Sequence, residues 1–305
     1  MEEKQPAQTY PKITLVTPCH NREEYIAETI ESVLSQNYPN LEFIVIDDGS
    51  TDKTWEIIQK YKDRLAYCEH IDSKTTSAHV ALQYGFDHSN GEIIGHITDK
   101  GLLLPGSLFT LGRIFTEYKD VEWVTAIGTV VNEESMIINI SPIRKDLHEH
   151  LIHVPWNVQA ESTFWRRSLW NRSGSKWDNG LGWALDYGLW CYFFAAGAKL
   201  YHINTVIGAY RKTPNANGVK NPGQYYKSAA QYRAWLRAHI TKKELVYASL
   251  YKLLRYIKPL LRNIPDAVYA QIPILNHFAQ NSIRFSGMNT LERYKRNPFR
   301  TIYPW

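Results

Sequence analysis

Cysteine is scarce. The 305-residue chain has three, Cys19, Cys68 and Cys191, far apart and without a CxxC spacing. An odd, sparse set fits reduced thiols in a cytoplasm rather than a disulfide framework. Long apolar runs are missing too: no stretch approaches the roughly 18 residues that a membrane span needs. The opening MEEKQPAQTYPK is polar where a signal peptide would carry an apolar core. No internal repeat or low-complexity segment is present. No GxGxxG follows the first apolar run, which argues against a nicotinamide-dependent dehydrogenase. No recognisable nucleic-acid-binding motif accompanies the basic residues, so nucleic acid is not an expected partner.

What is present is an apolar and aromatic content typical of a packed domain, with room for one large domain or a domain plus an extension. Charge is uneven. Residues 241–305 hold eleven Lys and Arg against three Asp and Glu, a net +8, and the whole chain is +5. The first 240 residues therefore sum to −3. Anionic partners, if any, belong to the tail.

Short β-branched runs alternate with helical patterns. ITLVTP (13–18), LEFIVIDDGS (41–50), RLAYCEHI and GEIIGHIT read as strands. HNREEYIAETIESVLSQ reads as a helix opened by an Asn21–Glu24 capping box, and Ser50 as the cap of a helix over about 51–62. SAHVALQYGFDHS is a further helix. The alternation predicts a doubly wound, mainly parallel α/β sheet. Ligands then bind beyond the carboxyl ends of the strands, where Pro18–Asn21, Asp47–Asp48 and Asp99–Lys100 stand. VEWVTAIGTVV reads as a strand, 133–160 as irregular, STFWRRSLW as a strand-to-helix turn and ALDYGLWCYFFAAG as an aromatic helix. From about 224 the chain reads as mainly helical. Leu250, Leu253, Leu254, Ile257, Leu260, Leu261 and Ile264 form one apolar stripe, which Pro259 kinks or divides.

The ordered set TPCHNREEYI, ESVLSQNYPNLEFIVIDDGSTDKT, GEII, LLLPGSL, STFWRRSLW and ALDYGLW resembles the family-2 glycosyltransferases, inverting enzymes of the GT-A fold. The resemblance covers roughly residues 12–213 and implies a transferase domain at 1–220 with a helical basic extension at 221–305. It implies a nucleotide-diphosphate sugar donor and a glycan or lipid-linked acceptor, in cell-envelope, capsule or lipopolysaccharide assembly. It places the nucleotide against Thr17, Pro18, His20, Asn21, Asp47, Asp48, Asp99 and Lys100, with Asp48 at the base. Read from the bare sequence Asp186 is first a helix N-cap; the resemblance matches it to the catalytic base, and the two are compatible. Trp165 or Arg166 can lie near the acceptor or serve as scaffold, and Trp156, Trp177, Trp183 and Trp190 follow no strict period.

Two departures touch the metal. The family's acid pair aligns with Asp99 and Lys100, so Lys100 replaces an acid, and Thr213 stands where the family often has a histidine. The resemblance implies Mg²⁺ or Mn²⁺, with Asp99 its remaining ligand. Three readings stay open: Lys100, with Arg211 or Lys212, replaces the cation; Asp99 alone holds a metal; or a degenerate domain acts as a nucleotide-binding or scaffold module. The tail helix is either interfacial, on the inner membrane face of a cytoplasmic protein, or packed on the domain or on a second subunit in a homo-oligomer.

Overall fold

The computed structural model describes residues 10–72, 74, 78–141, 146–152, 158–174, 177, 183–214, 222–286 and 290–300. Trp156, the last four residues of AYRKTPNANG and most of the opening dodecapeptide lie outside them.

Apolar runs too short for helices pair edge to edge. The first half contributes β1 (Ile13–Cys19), α1 (Ile26–Leu34), β2 (Leu41–Asp48), α2 (Thr54–Gln59), β3 (Tyr67–Ile71), α3 (His79–Asp87), β4 (Ile93–His96), β5 (Leu102–Leu103) and α4 (Ser107–Glu117). The middle supplies β6 (Trp123–Val131), β7 (Ile137–Ser141), α5 (Leu147–Ile152), β8 (Thr163–Arg166), α6 (Arg167–Arg172), α7 (Leu185–Ala195) and β9 (Leu200–Arg211). The tail holds α8 (Pro222–His239), α9 (Lys242–Leu254), α10 (Lys258–Leu261), α11 (Asp266–Gln271), α12 (Pro273–Asn276), β10 (Gln280–Phe285) and β11 (Leu291–Arg296).

The sheet runs β11, β10, β9, β6, β8, β4, β1, β2, β3, with β5 on β9 and β7 on β6. β1 lies parallel between β2 and β4, and β2 is parallel to β3. β8 is the antiparallel insert between β4 and β6. Burial on both faces follows from alternation. Ile13, Leu15, Phe43 and Val45 pack with Ile26, Ile30 and Val33 of α1 and Leu108 and Leu111 of α4. Val16, Ile44, Ile46 and Ile94 face the other way, to Ala81 and Leu82 of α3 and a cluster holding Trp165, Trp170, Trp177 and Trp190. Trp165 and Arg166 are buried scaffold: the Arg166 guanidinium donates to the carbonyls of Val121 (2.9 Å) and Phe115 (2.6 Å).

Several local expectations fail for one reason: the capping side chains are engaged across the fold. Asn21 sits in the left-handed region (φ +52°). Its Oδ1 accepts from the Thr51 amide at 2.8 Å, so it makes no capping box with Glu24. The Ser50 hydroxyl donates to Asp47 and accepts from the Asn21 amide (2.8 Å), so it caps nothing. The helix begins instead at Thr54, whose amide reaches Asp52 Oδ1 at 2.9 Å. The stretch read as irregular contains β7 and α5.

The tail also departs from a purely helical reading. β10 pairs parallel to β9 and β11 closes antiparallel on β10, extending the main sheet. The apolar stripe of 250–264 is split. Leu261 is buried and Leu250, Leu254 and Ile264 pack inward, against a cluster containing Tyr251, Tyr269, Phe278 and Phe299. Leu253, Ile257 and Leu260 are exposed, at 63%, 44% and 71%. The reason is the helical break before Pro259, where α9 gives way to a 3₁₀ turn over Arg255–Ile257, so a single helical phase does not run through. Among the described residues no helix is long and apolar enough to cross a membrane.

Candidate active site

The parallel strands stop together, in register: Cys19 lies opposite Asp47, and Asp47 opposite His70. The polar residues following them therefore meet along one edge. Asp47 is fully buried and acts inward, accepting from Ser50 and meeting His70 Nδ1 at 2.6 Å. Asp48 is nearly buried beside it. The carbonyl of Asp48 lies 2.6 Å from His20 Nδ1. A carbonyl only accepts, so Nδ1 carries the proton and Nε2 accepts from Asn21 Nδ2, 3.2 Å away. Two contacts thus fix the exposed His20 ring above the strand ends. Thr17 is buried beneath it, its hydroxyl without a hydrogen-bond partner among the described residues. Pro18 pairs in the same strand.

Asp99 and Lys100 follow β4. Asp99 Oδ2 accepts from the His20 amide at 3.4 Å and lies 3.3 Å from Arg22 Nε. Burial raises the Asp99 pKa, against the pull of Arg22 and Lys100. Lys100 is 6% exposed, its Nζ donating to Thr213 Oγ1 at 2.8 Å and lying 5.4 Å from the ring centre of Tyr210. Burial lowers the Lys100 pKa, while Asp99 opposes that shift. The two positions that depart from the family pattern are thus direct partners. A lysine where an acid was expected makes a histidine unhelpful at 213, and a hydroxyl there accepts its proton instead.

Arg211 does not join them. It is fully buried, with its guanidinium donating to the carbonyls of Lys100 (3.1 Å), Asn132 (3.1 Å) and Glu133 (2.8 Å) and paired with Glu28. Those contacts use it as a clamp and leave it no face for a phosphate. Lys212 is exposed beyond it.

Asp186 lies in the first turn of α7; the N-cap is Ala184, so the capping reading of Asp186 is replaced. Its side chain is 45% exposed, and Oδ1 is held 3.0 Å from Nε2 of the buried His96 at the end of β4. A carboxylate cannot donate, so Nε2 carries the proton. The other ring nitrogen, Nδ1, is buried with no partner among the described residues, and the ring packs edge-on against Trp177 at 4.9 Å. His96 is legible in the sequence as a polar end to an apolar strand. Glu161 belongs to no motif legible in the sequence. It is buried in a 3₁₀ turn before β8, accepting from Thr98 Oγ1 at 2.7 Å. Burial raises its pKa, and the Asp186 charge adds to that. Gly101 and Gly208 make room for it: a Cβ on Gly208 would stand 2.1 Å from the Glu161 carbonyl oxygen.

Family-2 enzymes commonly use a divalent cation, but the donor set here does not fit one. Asp99 is a single carboxylate already faced by Arg22, and the adjoining position presents an ammonium. Of the remaining tryptophans, Trp177 and Trp190 are core and Trp183 is exposed.

The chain resembles known proteins in both sequence and fold. Residues 14–171 match the family model "Glycosyl transferase family 2". The putative glycosyltransferase EpsE of Bacillus subtilis is 25% identical over 268 residues, 85% of this chain and 91% of its own. WfaP of Escherichia coli, a UDP-Glc:alpha-D-GlcNAc-diphosphoundecaprenol beta-1,3-glucosyltransferase, is 45% identical over 56 residues, 18% of this chain and 22% of its own. An uncharacterized glycosyltransferase of Rickettsia typhi, RT0329, is 34% identical over 98 residues, 32% of this chain, which spans only 30% of that relative. Crystal structures of S. aureus TarS share the fold: the 1–349 form with UDP-GlcNAc superposes with TM-score 0.59 at 14% identity, over 87% of this chain and 86% of that one. With the family model matching residues 14–171, just over half its length, this chain belongs to glycosyl transferase family 2.

Proposed function

We propose that the chain transfers a sugar from a nucleoside-diphosphate sugar to a hydroxyl acceptor with inversion, in assembly of a cell-envelope glycan. Asp186 carries the reading: a half-exposed carboxylate locked by a buried histidine at the strand-end edge. Asp186 takes the acceptor proton as the acceptor oxygen bonds to the anomeric carbon. The bond from that carbon to the diphosphate oxygen breaks, and its electron pair leaves with the diphosphate. Asp48 and the His20 ring, with Thr17, Pro18, Asn21 and the buried Asp47 behind them, take the base, and Asp99 the ribose. Lys100 neutralises the leaving diphosphate in place of a cation, a reading supported by its place beside Asp99 and by an ammonium that spends one of its three donors on Thr213.

A uridine donor is supported by TarS, described with UDP-GlcNAc and with UDP, and by the donor in the name of WfaP. That name also gives a lipid-linked acceptor. The family match and the transferase named in WfaP support catalysis over a degenerate, non-catalytic module. Asp186→Asn should keep UDP affinity and lose transfer by at least about 100-fold. Near-normal turnover in that variant would overturn the assignment.

A second reading, peripheral attachment to the inner membrane face, rests on one observation. Leu253, Tyr256, Ile257 and Leu260 are exposed together, among Lys252, Arg255, Lys258 and Arg262. Apolar side chains ringed by cations suit an anionic lipid surface, and the division of labour would be chemistry in 1–220 and anchoring in 221–305.

A further inference from the structure

Away from the strand-end edge, three side chains from distant parts of the sequence converge. His148 comes from α5, Glu244 from the first turn of α9, and His277 from the residue after α12. One ligand atom from each lies within 4.8 Å of the others. His148 Nε2 is 3.1 Å and His277 Nε2 is 3.6 Å from the same carboxylate oxygen, Glu244 Oε2.

Hydrogen bonding explains only part of this. The His148 contact is an ordinary hydrogen bond; the His277 distance is too long for one. His277 Nε2 is buried and has no hydrogen-bond partner among the described residues. A buried ring nitrogen turned toward a carboxylate, without bonding it, calls for another occupant. Ligands of a tetrahedral zinc ion, at about 2.0–2.2 Å from the metal, stand roughly 3.3–3.5 Å apart. The two measured separations bracket that span.

The rings are held in place. His277 stacks on Tyr247 with centroids 3.6 Å apart, and His148 packs edge-on against Phe278 at 5.1 Å. Asp146 Oδ1 lies 3.8 Å from the other nitrogen of His148, the place of an outer carboxylate in histidine metal sites. All three groups line a cleft of about 470 Å³, which supplies an entry path and space for a water as fourth ligand.

We propose that His148, Glu244 and His277 bind Zn²⁺ and that the ion ties α5 to the tail. Two imidazoles and one carboxylate form a donor set that selects zinc over Mg²⁺ or Ca²⁺. The site is separate from the sugar-transfer edge and shares no residue with it.

The test uses the full chain, stripped with chelator and titrated with Zn²⁺ alone by calorimetry, with metal content measured after dialysis. One equivalent should bind, and Mg²⁺ should not displace it. His277→Ala and Glu244→Gln should each weaken binding by at least about 100-fold, beyond the 10–100-fold typical of losing an outer partner. Asp99→Asn should leave it unchanged. Cobalt in place of zinc should give a visible tetrahedral spectrum that His277→Ala abolishes; this reads the site even if a variant is less stable. Absence of stoichiometric Zn²⁺ in the unmodified chain, equal binding in the two ligand variants, or loss of binding in Asp99→Asn would each overturn the proposal.

Discussion

Replacing Lys100 by methionine tests the diphosphate assignment most directly. Methionine keeps the apolar stem of the buried side chain, is one heavy atom shorter, and removes the charge and the donor to Thr213. The space opened is small, and folding should survive. A hydrogen bond from a charged group is worth about 1.5–3 kcal/mol, which is roughly 10- to 150-fold in affinity. That loss should fall on UDP and spare uridine, because uridine offers the ammonium no charge. Calorimetric titration of both ligands, with Mn²⁺ and with chelator, gives four affinities for each protein. The unmodified chain should bind UDP nearly as well in chelator as in Mn²⁺. Lys100→Asp should lose affinity in chelator and regain it with Mn²⁺, because it restores an acid pair beside Asp99. If chelator abolishes UDP binding in the unmodified chain and Asp99→Asn reproduces that loss, a metal held by Asp99 does the work and the reasoning fails. Equal losses for UDP and uridine in Lys100→Met would refute it too.

Three further outcomes follow from the same geometry. His96→Ala should lower kcat by about 10-fold or more with little change in donor KM, since it frees Asp186 without touching the nucleotide; His96→Gln, which can still donate to the carboxylate, should recover part of the loss, and unchanged kcat in the alanine variant would remove His96 as a positioning residue. Glu161 has its pKa raised by burial, so the folded state holds its proton to higher pH than the unfolded chain does; stability should fall as pH rises from the ordinary glutamate range through that raised value. Glu161→Gln should then raise the urea midpoint at pH 8 more than at pH 5, and an equal effect at both would sink the explanation. Vesicles with anionic lipid should sediment the chain at low salt, Leu253→Asp with Leu260→Asp should abolish this, and a concentration-dependent dimer lost in the same double variant would assign the patch to a second copy instead.

The parallel strands and the row of polar residues at their ends were legible because both are local: an apolar run stops, and the next residue is an acid or a histidine. Asp47, Asp48 and Asp99 could be placed on one edge from that alone, whereas Asp186, on a helix, comes only from the family resemblance. What was not legible was decided by partners far off in the chain. Ser50 has the composition of a cap and spends its hydroxyl on Asp47 and the Asn21 amide, the latter 29 positions away. QNSIRF, with Ile283 and Phe285 its only apolar residues, and the charge-rich LERYKR lack a strand's apolar pattern, and they become strands because β9 offers an edge about 80 residues earlier. Lys100 and Thr213 each look like a lost ligand; only their 2.8 Å contact, across 113 positions, makes one the reason for the other.

That shared sheet has a practical meaning for anyone dividing the chain. The family match ends at residue 171, yet β9 lies beyond it, and β9 is itself covered on its outer side by β10 through Asn281, Ser282 and Ile283. Cut near residue 220, the remaining piece would present the backbone of Tyr201–Ile203 bare to solvent, on a strand whose neighbours are mostly apolar. An open edge of that kind recruits other strands, and the expected product is aggregate rather than a smaller enzyme. The tail is thus the selvedge of the transferase sheet, and whatever it does at a surface it does while keeping the fabric from unravelling.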